Sequence, residues 1–136
     1  MDADEARTFI RENGRAVLAT FRRDGGVQMS PVDAVIDVEG HAVVSSRATA
    51  MKTQNLRRDP RATLCLFTER FYGPWVTVEG RAAIVALPEA MEGLVDYYRR
   101  AAGEHPDWDD YRAAMVRDRR VLLRIAIQRA GPTVSG

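Results

Sequence analysis

The chain has 136 residues, of which 46% are hydrophobic and 29% charged, and its formal net charge is +1. This length and composition predict one globular domain over residues 1–136, with a loose tail over 130–136. The small net charge argues against nucleic acid as a partner, and no apolar run approaches the ~20 residues of a membrane span. Cys65 is the single cysteine, which excludes an intrachain disulfide and favours a cytoplasmic protein.

The first part of the chain predicts a helix followed by three strands. Helical spacing indicates a helix over residues 4–13, and a strand follows at Arg15–Phe21. Asp24-Gly25 is a strong hairpin signal. The next strand, VQMSPVDAVIDV, contains Pro31, which removes a ladder donor and predicts an edge position or a bulge. Glu39-Gly40 then turns the chain into the third strand, HAVVSS.

The second part predicts a short helix, two strands, a helical pair and a last strand. The short helix covers residues 49–58, with Thr49 as its N-cap. The strands RATLCLFT and WVTVEGRAAIVA follow, the second with a bend at Gly80. Pro88 opens the next helix, Asp107 caps the one after it, and RVLLRIAIQ alternates as a strand. Six antiparallel strands with few helices predict a mainly β protein built as a small barrel.

Common catalytic fingerprints are missing from the sequence. There is no GxSxG elbow, no P-loop and no GxGxxG motif. His41 and His105 lack metal-ligand spacing, and we interpret them as structural or surface residues. Cys65 lies among apolar strand residues and is predicted to be buried and inert. The pairs Arg99-Arg100 and Arg119-Arg120 are interpreted as solvated faces or interface salt bridges.

The segment SSRATAMKTQNLRRDPR, residues 45–61, is the strongest candidate for a binding site. It sets five cations against the single carboxylate Asp59: Lys52, which is the only lysine in the chain, and Arg47, Arg57, Arg58 and Arg61. The cations lie at a predicted strand-to-helix junction, where free N–H groups and the helix dipole favour an anion. Hydroxyl donors come from Ser45, Ser46 and Thr49. The segment therefore predicts a phosphate site, and a solvated helix face is the alternative.

Four stretches of the chain resemble one known superfamily in their order and spacing. They are RAVLATFRRDGGVQMSPV, SSRATAMKTQNLRRDPRATLCL, WVTVEGRAAI and YRRAAGEHPDWDDYRAAMVRDRRVLLRI. Together they resemble the pyridoxamine 5′-phosphate oxidase-like split-barrel superfamily. More narrowly, they resemble its actinobacterial branch of flavin/deazaflavin oxidoreductases, which uses coenzyme F420. The resemblance covers nearly the whole chain and implies a six-stranded antiparallel split β-barrel of the FMN-binding type.

The resemblance also implies where a cofactor would bind. In such relatives the cofactor phosphate meets a serine at the end of the third strand and a lysine at the start of the next helix, which match Ser45 and Lys52. Ser46 and Arg47 lie beside them, and relatives often carry an arginine where this chain has Ala50. The segment that would lie along the deazaflavin ring is Gln28, Met29, Ser30 and Pro31. A homodimer is implied, with Trp75 reaching the cofactor from the other subunit.

The function that the resemblance implies is hydride transfer between F420 and an unidentified small organic acceptor, without a metal. Two alternatives remain open. FMN has a phosphate that the same residues could hold, which would give a flavin oxidase or reductase. A non-catalytic carrier of F420 would bind the cofactor without turnover. No residue is assigned as catalytic proton donor.

Overall fold

The computed structural model describes residues 1–132. Those residues form a seven-stranded sheet and four helices, bounded as α1 (Ala3–Glu12), β1 (Arg15–Phe21), β2 (Val27–Asp33), β3 (Val35–Ile36), β4 (Ala42–Arg47), α2 (Met51–Arg58), β5 (Arg61–Phe67), β6 (Trp75–Val85), α3 (Met91–Ala102), α4 (Trp108–Arg117) and β7 (Arg120–Ala130). The strand order is β2-β1-β5-β6-β7-β4-β3, and all pairs are antiparallel. The sheet curls, because its first and sixth strands, β2 and β4, approach each other. The predicted mainly β split barrel is confirmed.

The strand count is seven rather than the predicted six, because one predicted strand divides at Ala34. On one side of Ala34, β2 pairs with β1, ending at Asp33 opposite Arg15. On the other side, β3 pairs with β4 instead. The backbone N–H of Ala34 donates to the carbonyl oxygen of Gly14 at 2.8 Å, which holds the chain at the change of partner. Pro31 lies in β2, an edge strand, and the unbroken β1–β2 register shows no bulge there.

Alternation along the strands produces two apolar layers. In β7, Leu123 and Ile125 face the inside of the barrel, whereas Leu122 faces outward. The inner layer is closed by α1 and includes Ile10. The outer layer is covered by the α3–α4 pair, through residues such as Leu94. The helices therefore seal the barrel interior and one part of its outer surface.

One predicted helix cap and one predicted bend are confirmed, and two predicted helix starts are corrected. Asp107 caps α4 by accepting from the N–H of Asp110, and the register of β6 shifts at Gly80, where a Cβ would meet the carbonyl oxygen of Ala126. By contrast, the N-cap of α2 is Ala50 rather than the predicted Thr49, and the helix begins at Met51. Pro88 lies in a turn before α3, whose N-cap is Ala90.

The C-terminal strand extends further than the sequence predicts. Ala130 is the last residue of β7, and the N–H of Gly131 donates to the carbonyl oxygen of Thr77 at 2.8 Å. Pairing thus continues past residue 130, where the loose tail was predicted to begin. The rest of that predicted tail, residues 133–136, lies outside the described residues. In the part of the chain that the structure describes, every helix is too short or too polar to cross a membrane.

Candidate functional site

The edges of β2 and β4 diverge at one end, and the opening between them is the candidate cleft. The two strands are linked through β3, which pairs with β4 at Val35–Val43 and Ile36–Ala42. Residues before Ala34 pair with β1, whereas Val35 and Ile36 pair with β4. The edges of β2 and β4 therefore separate from Asp33 and Ser45 onward. Helix α2 starts four residues after β4 and packs against β1 and β2. The cleft is therefore bounded by two open strand edges and the start of a helix.

Tyr97 of α3 lies at the narrow end of this cleft. Its hydroxyl donates to the carbonyl oxygen of Asp33 at 2.8 Å and interacts with the backbone of Ser45. The hydroxyl thus bridges β2 and β4 where their ladder ends. Burial, followed by the nearby charge of Asp33, raises the pKa of Tyr97 to about 12, against smaller opposing effects of Ser45 and Arg120. Tyr97 therefore stays protonated and can keep donating this bond.

The first turn of α2 is open to an anion. Its N-cap, Ala50, has no side-chain cap hydrogen bond, and the first turn carries no acidic residue. The backbone N–H groups at this end keep their hydrogen-bonding capacity, and the positive end of the helix dipole is uncompensated. Such a helix start is suited to a phosphate or carboxylate.

Cations converge on the same place. Lys52 is half-buried, and its pKa is lowered first by burial and then by the positive charge of Arg120. Arg120 pairs with Arg47 across the β4–β7 ladder. The carboxylate of Asp118 is 3.9 Å from Arg47 Nη2. Three cations, Lys52, Arg47 and Arg120, therefore lie in one region.

Arg120 is the residue that sequence reasoning placed elsewhere. It was interpreted as part of a solvated or interface pair with Arg119, but its Nε atom is buried and has no hydrogen-bond partner among residues 1–132. The outward position of Arg120 could have been found from the alternation of inward-facing and outward-facing residues along β7. Val121 and Leu123 face inward, so Arg120 must face outward at the end of the strand, next to the outward-facing Arg47.

The predicted phosphate-binding segment divides between the two faces of β4. Ser45 and Arg47 face outward, toward the cleft and the cations. Ser46 faces inward, is 1% exposed, and contacts the hydroxyl of Thr53 at 2.8 Å. Ser46 therefore lies on the opposite face of β4 from Ser45 and Arg47, where it anchors α2.

The predicted ring-binding segment of β2 alternates in the same way. Met29 and Pro31 are exposed on the outer face. Gln28 faces inward, where its side chain lies 3.4 Å from the hydroxyl of Thr20. The Ser30 hydroxyl is also buried, and it has no hydrogen-bond partner among residues 1–132. Only part of this segment can thus present side chains to a ligand on the outer face.

Trp75 lies far from the phosphate-binding residues of its own chain. Ser45 pairs with Leu122, which pairs with Val85 at the last position of β6. Trp75 is the first residue of β6, ten positions away, so the two ends of this strand are roughly 30 Å apart at the usual rise. Within one chain, Trp75 and Ser45 are not brought together.

Two other arginines of the basic segment, Arg58 and Arg61, have structural partners. Arg58 Nη2 donates to the carbonyl oxygen of Phe21 at 2.7 Å and to Asn55 Oδ1 at 3.2 Å. Arg61 pairs with Asp59 at 2.7 Å, and its guanidinium lies 4.3 Å from the centre of the Phe21 ring. Arg58 and Arg61 thus attach the end of α2 and the start of β5 to β1. Lys52 lies at the other end of α2, in its first turn.

The histidines and the cysteine also have structural environments. His41 lies 3.1 Å from Arg124, and His105 accepts from the N–H of Asp107 at 2.9 Å and contacts Trp108. Among residues 1–132, no three His, Cys, Asp or Glu side chains are grouped to hold a metal ion. Cys65 is half-buried rather than buried as predicted, and burial raises the pKa of its thiol.

Comparison with known proteins places these features in a family context. The family described as pyridoxamine 5′-phosphate oxidase matches residues 3–133. A conserved hypothetical protein from Mycobacterium tuberculosis has a similar structure, with 28% identity and a TM-score of 0.77, over 96% of this chain and 82% of that one. A structure described as an F420 reductase is 18% identical with a TM-score of 0.71, over 92% and 94% of the two chains. A haem storage protein from Vibrio cholerae is 16% identical with a TM-score of 0.70, over 98% and 95%.

Proposed function

Because this chain belongs to the pyridoxamine 5′-phosphate oxidase family, we propose that it is an F420-dependent oxidoreductase that transfers a hydride between the deazaflavin and a small organic acceptor. One observation carries the proposal. Lys52, the only lysine of the chain, lies half-buried at the uncapped start of α2 beside Arg120. A cation held this way favours a phosphate-bearing ligand over a neutral one. The F420 reductase with the same fold supports the choice of cofactor.

The residues of the cleft fit a cofactor phosphate. The first-turn N–H groups of α2 and the ammonium of Lys52 would provide the donors. Ser45 adds a half-exposed hydroxyl at the outer end of β4. These groups would hold the phosphate, while Met29 and Pro31 on the outer face of β2 would border the ring system.

The protein contributes binding and orientation. When bound, the reduced deazaflavin supplies a hydride from its C5 carbon and reacts poorly with oxygen. Lys52 and α2 fix the cofactor at its charged end, so the ring is positioned relative to β2. Tyr97 holds β2 and β4 together at the narrow end of the cleft through its bond to Asp33. The acceptor would approach on the side that these residues leave open.

A homodimer with a cofactor at the subunit interface completes the proposal. The outer face of β1, β2 and β5 carries half-buried or exposed apolar side chains with no covering helix among the described residues: Val17, Ala19, Met29 and Cys65. A second copy would cover this face. It could also bring its own Trp75 to a site that Trp75 cannot reach within one chain. The single cysteine fits a reducing cytoplasm, where we propose the enzyme acts.

Parallel titration of the purified protein with F420 and with FMN tests the proposed cofactor. We expect saturable binding of F420, seen as a change in deazaflavin fluorescence, and weaker binding of FMN. Binding of FMN alone, or yellow protein carrying FMN after purification, would replace F420 with the flavin. Turnover is then tested with reduced F420 and a panel of small molecules with electron-poor double bonds. Tight binding with no turnover across a broad panel would favour a carrier of F420.

A further inference from the structure

A cavity with an apolar floor lies between α3 and the outer face of the sheet. Its volume is about 350 Å³, within the range of small-molecule binding sites. The apolar side chains that form its floor come from four strands: Val35, Val43, Val85 and Leu122. A Cβ at Gly93 would clash with Leu122 Cδ1, so α3 rests directly on the sheet beside the cavity. The cavity is therefore preformed between two packed elements.

Carboxylates surround this apolar floor from two sides. Asp37 and Glu39 reach the cavity from the turn between β3 and β4. Three more acids line it from α3 and the turn before that helix: Glu89, Glu92 and Asp96. The helix dipole favours acids at the start of α3, but it gives no reason for the two acids of the β3–β4 turn. Negative charge is thus a property of the whole rim and not of the helix start alone.

The carboxylates of the rim outnumber the cations that they contact. Arg124 serves both Asp37 and Glu39, whose oxygens lie 3.4 and 3.1 Å from its guanidinium. Glu89 is exposed and forms no ion pair among residues 1–132. The other two acids each have one arginine at 2.8 Å, Glu92 with Arg112 and Asp96 with Arg100. Five carboxylates therefore face three guanidinium groups, and the rim keeps an excess of negative charge.

We propose that this cavity binds a small organic cation, an apolar or aromatic body that carries an ammonium group. The floor would bury the apolar body, and the acidic rim would hold the charged group at the opening. A hydrated metal ion fits less well, because it prefers several oxygen ligands to an apolar floor. Ser45, Lys52 and the rest of α2 do not line this cavity. The inference therefore goes beyond the proposed function, and its test needs no F420.

Three probes that share an indole ring and differ in charge test the chemistry of the ligand. Tryptamine is a cation at neutral pH, tryptophol is neutral and indole-3-propionate is an anion. In calorimetric titrations of the purified protein, tryptamine should bind saturably. Tryptophol should bind about fivefold more weakly, the difference expected for one exposed ion pair, and indole-3-propionate more weakly still. Equal affinities for tryptamine and tryptophol, or no saturable binding of tryptamine, would overturn the proposal.

A double variant tests whether the rim carboxylates hold the cation. Glu89→Gln combined with Glu92→Gln should weaken tryptamine binding at least about fivefold and leave tryptophol binding unchanged. Asp109→Asn combined with Asp110→Asn is the matched control, because it removes the same charge from the first turn of α4. The control should bind tryptamine as the parent does. Equal weakening in the two double variants would show that binding follows the net charge of the protein, which would overturn the assignment to this cavity.

Val85→Trp tests the apolar floor. Val85 is half-buried at the end of β6, and the larger side chain should fill the cavity, so tryptamine and tryptophol should both lose their binding. Circular dichroism shows whether the variant folds; if it does not, the Glu89 and Glu92 double variant decides alone. Unchanged tryptamine affinity in a folded Val85→Trp would place the binding elsewhere and overturn the proposal. Tryptamine binding that meets these expectations, without binding of F420 or FMN, would leave this site standing while the proposed function fails.

Discussion

The hydroxyl of Thr53 donates a 2.7 Å hydrogen bond to the carbonyl oxygen of Arg47 and lies 2.8 Å from the hydroxyl of Ser46. Thr53 is fully buried and Ser46 is 1% exposed. Because the Thr53 hydroxyl uses its one proton in the bond to the Arg47 carbonyl oxygen, the Ser46 hydroxyl donates to Thr53 Oγ1. These bonds fasten the first turn of α2 to the last two residues of β4. They therefore set the direction in which the neighbouring Lys52 leaves the helix.

Replacing Thr53 with valine should loosen this junction. The variant leaves the Arg47 carbonyl and the Ser46 hydroxyl without their partner in a buried region, which should cost about 1–3 kcal/mol of unfolding free energy. Urea denaturation measures the loss. Thr49→Val is the control, because Thr49 is exposed and α2 is capped at Ala50. Equal stability of the two variants would show that the Thr53 bonds do not support the fold.

Lys52→Ala should weaken the binding of F420 without unfolding the protein. Removal of one charge-assisted contact to a phosphate should reduce affinity by about 10- to 100-fold. Fluorescence titration of F420 gives the affinity. Arg57→Ala removes the same charge from an exposed position of the same helix and should bind F420 as the parent does. An unchanged affinity in Lys52→Ala would remove Lys52 from the proposed site.

Much of the fold was predictable because it depends on local signals. The strand Arg15–Phe21 was predicted with its observed bounds. Its residues form a compact strand pattern, and the hairpin signal of Asp24-Gly25 marks where the strand must end. The division at Ala34 was not predicted. Val35 and Ile36 continue an apolar run, and the exchange of one strand partner for another is decided by distant strands rather than by the residues at the break.

The sequence could propose a candidate site as a segment but not as a surface. It predicted an anion site over residues 45–61, yet it could not say which face of β4 is buried. Ser45 and Ser46 look alike in the sequence, and only the packing of Thr53 assigns Ser46 to the interior. Arg120 is 68 residues from Lys52 in the numbering. Their proximity follows from the pairing of β4 with β7, which local patterns do not reveal.

Tyr97→Phe should alter how stability depends on pH. The folded protein raises the pKa of Tyr97 from 10.0 to about 12, so it favours the protonated hydroxyl. That contribution to stability is fully present below pH 10 and is lost as the pH rises toward 12. The variant should be less stable than the parent at pH 8, by about 1 kcal/mol for one hydrogen bond. The difference should shrink above pH 10.

Urea denaturation at a series of pH values tests this expectation. Tyr72→Phe is the control, because Tyr72 is 88% exposed in the loop before β6, and it should match the parent throughout. A stability difference between Tyr97→Phe and the parent that stays constant from pH 8 to the alkaline limit would contradict the assignment of the bridge to the Tyr97 hydroxyl.

Met29→Asp should separate the proposed dimer and abolish binding of F420 together. Met29 is 66% exposed in the single chain, on the outer apolar face of β2, and a carboxylate buried there at an interface would lack a partner. Light scattering should show a dimer for the parent and a monomer for the variant. Val38→Asp places the same charge on a side chain that is 87% exposed in the turn before β4, and should remain dimeric. Because Trp75 and Ser45 are roughly 30 Å apart within one chain, a monomeric variant that still bound F420 with the parent's affinity would show that the site needs no second subunit.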